Sequence, residues 1–280
     1  MSRCGSHKLL ALFPLAFLLL LAPALAEVLA VQSRRVSAPV KVDGQADEWA
    51  ADGWILDTKS GAEFAFQNDG RNLYVLLTVN RPESSQSAES TGVTVLTRPA
   101  GTKKSLKGVL FLTRDVPAED YIRWHESQGA VMTNGEKGEI KKTGRHSLFL
   151  AFAIDARGST YGPLRRQAES DAPEFAVSRQ GTETAYEFMI PLASPELVPG
   201  GIGALPGQAV RVSFEWGGAG KKTLSAKATR ETPPAEKGAL SGSGGTWAQE
   251  FLDTFDSMSR PSLGTKKYAF AAEVKLAEMK

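Results

Sequence analysis

Polar and apolar residues alternate with a two-residue period over most of the chain beyond residue 27, the signature of half-buried strands. The period is carried by runs at 28–36, 63–67, 73–79, 92–96, 106–113, 147–154, 174–178, 184–190, 210–216 and 267–276. The last run is expected to return to the sheet beside the first. Asn68-Asp69-Gly70, between the second and third runs, predicts a hairpin turn in which glycine takes a positive φ. Between the runs lie stretches with turn chemistry. Arg81 to Thr91, rich in Ser and Glu, reads as a solvated loop, and Thr133 to Gly144 reads as an exposed turn or loop. Pro191 to Gly207 is too rich in Pro and Gly for a long regular element, and Thr229 to Gly245 reads as a flexible excursion. Helical spacing occurs twice. Pro117 to Tyr121 opens a short helix carrying Trp124. Thr246 then caps a helix with Gln249 at the reciprocal position and Trp247, Phe251, Leu252, Phe255 and Met258 on one face, ending at Arg260-Pro261.

The first 26 residues form a separate unit. Arg3 and Lys8 precede an almost unbroken apolar run from Leu9 to Leu21, and Ala24-Leu25-Ala26 supplies small residues for cleavage. This pattern predicts a secretory signal peptide, too short for a lasting membrane span, with the exported chain starting near Glu27 as one domain of 27–280. Cys4 is the sole cysteine and leaves with the peptide, and Glu27 stands where a lipoprotein would need cysteine. Disulfides, thiolate nucleophiles and cysteine-held zinc are thereby excluded, and neither a lipid nor a transmembrane anchor is expected. An exported domain without disulfides must be held by core burial, which favours a large β-sandwich and a bacterial envelope or extracellular setting. Loss of Arg3 and Lys8 brings the basic count level with the 31 acidic residues. A chain of near-zero net charge has no electrostatic reason to seek nucleic acid.

Three segments carry a resemblance. Val42-Asp43-Gly44-Gln45-Ala46-Asp47-Glu48-Trp49 resembles the I/V-D-G-x-x-D-x-W opening of family-9 carbohydrate-binding modules and their DOMON-like relatives. Asn68 to Val75 resembles the later D-x-x-x-L-Y hairpin, and Ala185-Tyr186-Glu187-Phe188-Met189-Ile190-Pro191-Leu192 the y-E-x-x-I-P-L strand. The resemblance implies a secreted, two-sheet antiparallel β-sandwich with Greek-key-like connections. Within this all-β class, relatives bind sugars, bind haem or serve as accessory modules.

For a sugar, the resemblance implies a slot between two tryptophans near one end of the sandwich. By residue chemistry, Trp124 (with Tyr121 and His125) and Trp216 are the pair selected here, with Arg123, Glu126 and Glu215 to orient hydroxyls. Each tryptophan has a packing alternative at a sheet end. Trp49 reads as a core or rim anchor, and Asp43-Gly44 as a turn. Haem b would draw on Met132, Met189, Met258, Met279, His125 and His146, which no motif joins. Asp43 and Asp47, with Glu48 and Asp52, form an acidic group of the type that holds Ca²⁺. No G-x-S-x-G elbow or H-E-x-x-H pair occurs, and Gly200 to Gly203 lacks the strand–helix context of a phosphate cradle. The leading expectation is a non-catalytic module for carbohydrate or envelope glycan. The alternatives are a haem-binding periplasmic electron-transfer module and an interaction domain whose C-terminal helix docks an envelope protein partner.

Overall fold

The computed structural model describes residues 29–50, 52–102, 107–154, 160–164, 172–218 and 265–278. The segment expected to be a signal peptide, the excursion expected at 229–245 and the helix expected at 246–259 lie outside the described residues. Two sheets face each other. One contains, in spatial order, β1 (Leu29–Gln32), β13 (Tyr268–Lys275), β12 (Ala209–Trp216), β6 (Val93–Pro99), β7 (Lys107–Pro117), β8 (Arg145–Ile154) and β9 (Thr160–Pro163). The other contains β10 (Glu174–Gln180), β11 (Glu183–Pro191), β5 (Asn72–Val79), β4 (Ala62–Asn68) and β2 (Arg34–Arg35), with β3 (Ile55–Asp57) sharing the edge of β4 with β2.

Pairing is antiparallel except at the N-terminal run, which switches sheets. Its first part lies parallel to β13 and its second parallel to β4. Ser33 sits at the switch, almost fully buried. Its hydroxyl hydrogen-bonds to Asn68 Oδ1 and accepts the N–H of Ala277 at 3.0 Å, tying both sheets to the chain just beyond the C-terminal strand. The expected return of the last run beside the first is thus realised, as a parallel pair.

The main core lies between the sheets. Phe64, Phe66, Leu73, Val75 and Leu77 meet Val93, Val95, Phe111, Val212, Phe214 and Trp216 there. Strand β12 alternates as a one-sided strand should. Strand β5 is buried at every position, because the outer face of its sheet is covered as well. The cover is the irregular stretch from Val36 to Trp54. Val40 and Trp49 pack there on Ala65, Tyr74, Leu76 and Ala185, with Val36, Trp54 and Met189 at the margin.

A buried carboxylate pins this cover. Glu187 has no exposed surface, and its Oε2 accepts the N–H groups of Asp43 (2.9 Å) and Gly44 (3.0 Å). Its Oε1 accepts the indole N–H of Trp49 at 2.9 Å. Gly44 has φ +79°, and a Cβ there would stand 2.8 Å from the backbone nitrogen of Ser178, so only glycine fits. Ser178 donates its hydroxyl to the Gly44 carbonyl at 2.6 Å. The opening motif and the late strand motif are therefore two halves of one contact.

The hairpin motif has a similar explanation. Asp69 Oδ1 accepts the N–H groups of Arg71 and Asn72, both at 2.6 Å, and Oδ2 accepts the Tyr74 hydroxyl at 2.8 Å. The turn is closed by this side chain, and Gly70 is not among the glycines with positive φ, contrary to the sequence expectation.

Two expected loops are helices. Helix α1 (Pro82–Thr91) replaces the solvated loop at 81–91: Pro82 opens it, and the face it buries consists of Ser84, Ser85, Ser87 and Ala88. Those hydroxyls have partners, so their burial is tolerated. Helix α3 (Asn134–Thr143) replaces the loop at 133–144, started by a capping box between Thr133 and Glu136 and buried nowhere. Helix α2 (Ala118–Ser127) forms where the sequence places it, and with Trp124 it covers the outer face of β7 and β8.

Removing the Glu187 carboxylate strands three donors. Glu187→Ala is expected to cost roughly 3 kcal/mol in urea unfolding, as for breaking a buried charged hydrogen-bond network. Burial pushes the Glu187 carboxyl above the usual glutamate range, opposed by its hydrogen bonds from Trp49, Gly44 and Asp43. The folded state therefore holds this proton to higher pH than the unfolded chain. The contribution of Glu187 to stability should fall as pH rises from the ordinary glutamate pKa of about 4.3 to the raised folded value. Unfolding midpoints measured across that window should show this slope in the wild type and lose it in Glu187→Gln.

Candidate functional site

The residues expected to form an aromatic slot are not brought together. Trp216 ends β12 inside the main core at 2% exposure. Its indole N–H donates to Ser84 Oγ at 3.1 Å, and its ring stacks on Tyr268 at 5.6 Å between centroids. Trp124 lies on α2, buried in a different cluster with Leu110, Leu112, Leu148, Leu150 and Phe152. The seven-stranded sheet stands between the two clusters, and neither ring offers a face to solvent. The alternative reading of each, packing, describes the geometry.

The polar companions are equally divided. Arg123 is exposed on α2. Glu126, also on α2, pairs with Lys137 of α3 at 2.5 Å. Glu215, on β12, pairs with Lys267 at 2.8 Å. Tyr121 is half-buried between two imidazoles, 4.4 Å from the His125 ring and 4.7 Å from the His146 ring. Burial lowers the pKa of His125, and His146 Nε2 contacts the Ile140 carbonyl at 2.7 Å. Of the haem candidates, Met189 packs at the margin of the outer cover and Met132 sits in the connection between α2 and α3, while Met258 and Met279 lie outside the described residues.

The acidic group holds its own backbone. Asp43 pairs with Lys41 at 2.8 Å and accepts the Gln45 N–H, and Glu48 accepts the Lys41 N–H. Lys41 is the first cause of the lowered pKa of Asp43. Asp47 is exposed, and among the described residues no three His, Cys, Asp or Glu side chains converge as a metal cage.

Concave surface occurs instead at the end of the sandwich opposite α1. That end gathers the Asp69–Arg71 turn, the start of β12 and the stretch after β11. A cleft of about 720 Å³ opens there between the end of β6 with Thr102 and Lys107 on one side and the stretch 194–203 on the other. Its polar lining is Thr97, Arg98, Thr102, Lys107, Ser194 and Glu196, and Pro99 and Pro195 add apolar atoms, with Ile202 almost fully buried behind them. The Pro/Gly-rich wall is ordered by turns: Ser194 O accepts the N–H groups of Leu197 and Val198, and Ile202 and Ala204 return to Pro191 O and Leu192 O. Gly201 is required because a Cβ would lie 2.4 Å from the Ala193 carbonyl oxygen. The sequence marks this stretch only as irregular. The signal it does carry is a long Pro/Gly segment directly after the Glu-x-x-Ile-Pro-Leu strand, a place where loops carry function.

No protein-family model and no curated protein matches this sequence. Among solved structures, the chain is similar to a family-9 carbohydrate-binding module from Caldicellulosiruptor kristjanssonii in complex with glucose. That match has 16% identity and a TM-score of 0.32, covering 69% of this chain and 81% of the other. A module of the same family and organism in complex with cellotriose matches at 13% identity and a TM-score of 0.36, covering 90% and 95%. The sandwich architecture itself rests on the strand pairing of this chain.

Truncating either buried tryptophan should act on folding. Trp216→Ala and Trp124→Ala are each expected to lower unfolding free energy by about 3–5 kcal/mol. Trp216→Phe, which keeps a ring but leaves Ser84 without its donor, should cost clearly less. Denaturant midpoints check both.

Proposed function

We propose that this protein is a non-catalytic carbohydrate-binding module of the exported type, taking its glycan in the cleft between the end of β6, Thr102 and Lys107 on one side and residues 194–203 on the other. The observation that carries the reading is the lining of that cleft. Thr102, Ser194, Lys107 and Glu196 line it beside Pro195, with the Ser194 hydroxyl donating to the Glu196 carboxylate, while Thr97 and Ile202 contribute to the lining as nearly buried residues. Sugars present alternating hydroxyls and C–H faces, and such a mixture of donors, acceptors and small apolar patches matches them. The motif resemblance to sugar-binding sandwiches supports the same class. Export is supported by the N-terminal sequence pattern, and among the described residues no helix is long and apolar enough to cross a membrane.

The chemistry expected at the cleft is recognition. Glu196 is the one carboxylate in its described lining, whereas hydrolysis of a glycosidic bond uses a pair. A glycan array followed by calorimetric titration of the best binder tests the proposal. Lys107 and Glu196 are exposed, so Lys107→Ala/Glu196→Ala should keep the wild-type melting temperature and weaken binding at least tenfold. Absence of any glycan binding by the wild type would end the functional reading. Unchanged affinity in the double variant would move the site out of this cleft.

A further inference from the structure

The chain contains four asparagines, Asn68, Asn72, Asn80 and Asn134, and only Asn134 is followed by glycine. An asparagine amide is lost when the backbone nitrogen of the next residue attacks its side-chain carbon Cγ. A following glycine removes the Cβ that would obstruct this approach. Asn134 and Gly135 are both exposed and open α3, a helix that buries none of its residues. A Cβ at Gly135 would meet only the Thr133 hydroxyl, at 3.9 Å, so no packed neighbour holds the dipeptide in place. The backbone nitrogen of Gly135 also stands outside the helix ladder. That ladder starts with Lys137 N–H on Thr133 O at 3.0 Å, and the Glu136 N–H is taken by Thr133 Oγ1 at 3.3 Å. Gly135 lies among the first-turn N–H groups that a helix leaves without an internal partner. The other asparagines lack this combination. Asn68 and Asn72 are buried, and Asn80 precedes the bulky Arg81.

We infer that Asn134-Gly135 is a site of spontaneous deamidation, which writes a negative charge and, in its main product, an extra backbone methylene into the first turn of α3. Gly135 N bonds to Asn134 Cγ and the Cγ–Nδ2 bond breaks. The displaced amide nitrogen leaves as ammonia with the Gly135 amide proton, and a cyclic succinimide remains. Water then opens the ring at either carbonyl, giving aspartate or isoaspartate at position 134. Water is the sole co-reactant, and no electrons are exchanged. The helical backbone at Asn134 keeps Gly135 N away from Cγ, so the reaction needs the first turn to open. That turn is held by the capping box, in which Glu136 Oε2 accepts the Thr133 N–H at 2.7 Å in return. With no buried side chain on α3, the opening is local. Aspartate at 134 suits the helix N-terminus electrostatically, whereas isoaspartate lengthens the backbone inside the Thr133–Glu136 box and breaks it.

The test follows the purified full chain in mildly alkaline buffer, folded and in urea, by peptide mass mapping that separates aspartate from isoaspartate. In the folded chain Asn134 should convert at least tenfold faster than any other asparagine, with isoaspartate in excess. Gly135→Ala should slow the conversion at least tenfold. Thr133→Val keeps the shape of the side chain and removes the capping hydroxyl. It should raise the folded rate several-fold and leave the urea rate unchanged. Hydrogen exchange over 134–143 should be faster in the isoaspartyl form, with exchange in β7 and β8 unaltered. An Asn134 that stays intact in the folded chain while converting in urea overturns the inference, as does a folded rate that Gly135→Ala leaves unchanged. An unchanged folded rate in Thr133→Val overturns the assignment of the capping box as the brake.

Discussion

A carboxylate without solvent contact is costly, and Glu187 is kept because each of its oxygens has donors waiting. Those donors come from residues 43, 44 and 49, far away in sequence and without regular secondary structure around them. The six-stranded sheet has an apolar outer face that must be covered, and the cover in this part of the fold is irregular chain. Apolar contact alone is non-directional and would let such chain slide. Three hydrogen bonds to one fixed carboxyl group remove that freedom. Gly44 contributes the backbone shape that lets two successive N–H groups converge on one oxygen, and Trp49 contributes both packing and a third donor. An opening motif and a strand motif that look independent in sequence therefore act as one part.

The opposite sheet solves the same problem with a helix. Trp124 and its neighbours on α2 bury Leu110, Leu112, Leu148 and Leu150, and the ion pair between Lys137 and Glu126 fastens α3 to α2. At one end of the sandwich, α1 closes the core with hydroxyls, Ser84 accepting from Trp216 and Ser85 sharing a hydrogen bond with Thr184 at 2.8 Å. Both sheet faces and this end are occupied by packing. The other end, built from turns and from the long stretch after β11, is where concave polar surface remains.

The strands are legible because a half-buried sheet imposes its two-residue period directly on the sequence, and β4, β5, β11 and β12 match their apolar runs to within a residue at each end. Helix α1 is hidden because its buried face is serine, which pattern reading counts as polar, and its partners Trp216 and Thr184 are remote in sequence. Helix α3 is hidden for the opposite reason: nothing on it is buried, so only the Thr133–Glu136 box marks it. The chemistry of tryptophan points to a ligand slot, but burial is a tertiary property. That Trp216 has a serine waiting for its N–H cannot be read 132 residues away. Arg34 and Arg35 carry no signal of their own inside a run that reads as one strand. The switch between sheets at Ser33 is what pairs them with Gln67 and Asn68 of β4.

The lining of the end cleft also constrains how it can recognise a ligand. Its described side chains include no aromatic ring, so under the proposed reading a sugar would be held there by hydrogen bonds and charge and not by stacking. Such bonds replace bonds to water and give modest net affinity, but they are unforgiving of a missing or misplaced partner. The geometry for this is fixed by rigid parts: the Gly201 crossing and the returns to Pro191 O and Leu192 O on one wall, the β6–β7 ladder on the other. Loops anchored this closely to strands can hold polar groups in register, which is what recognition without an aromatic platform demands.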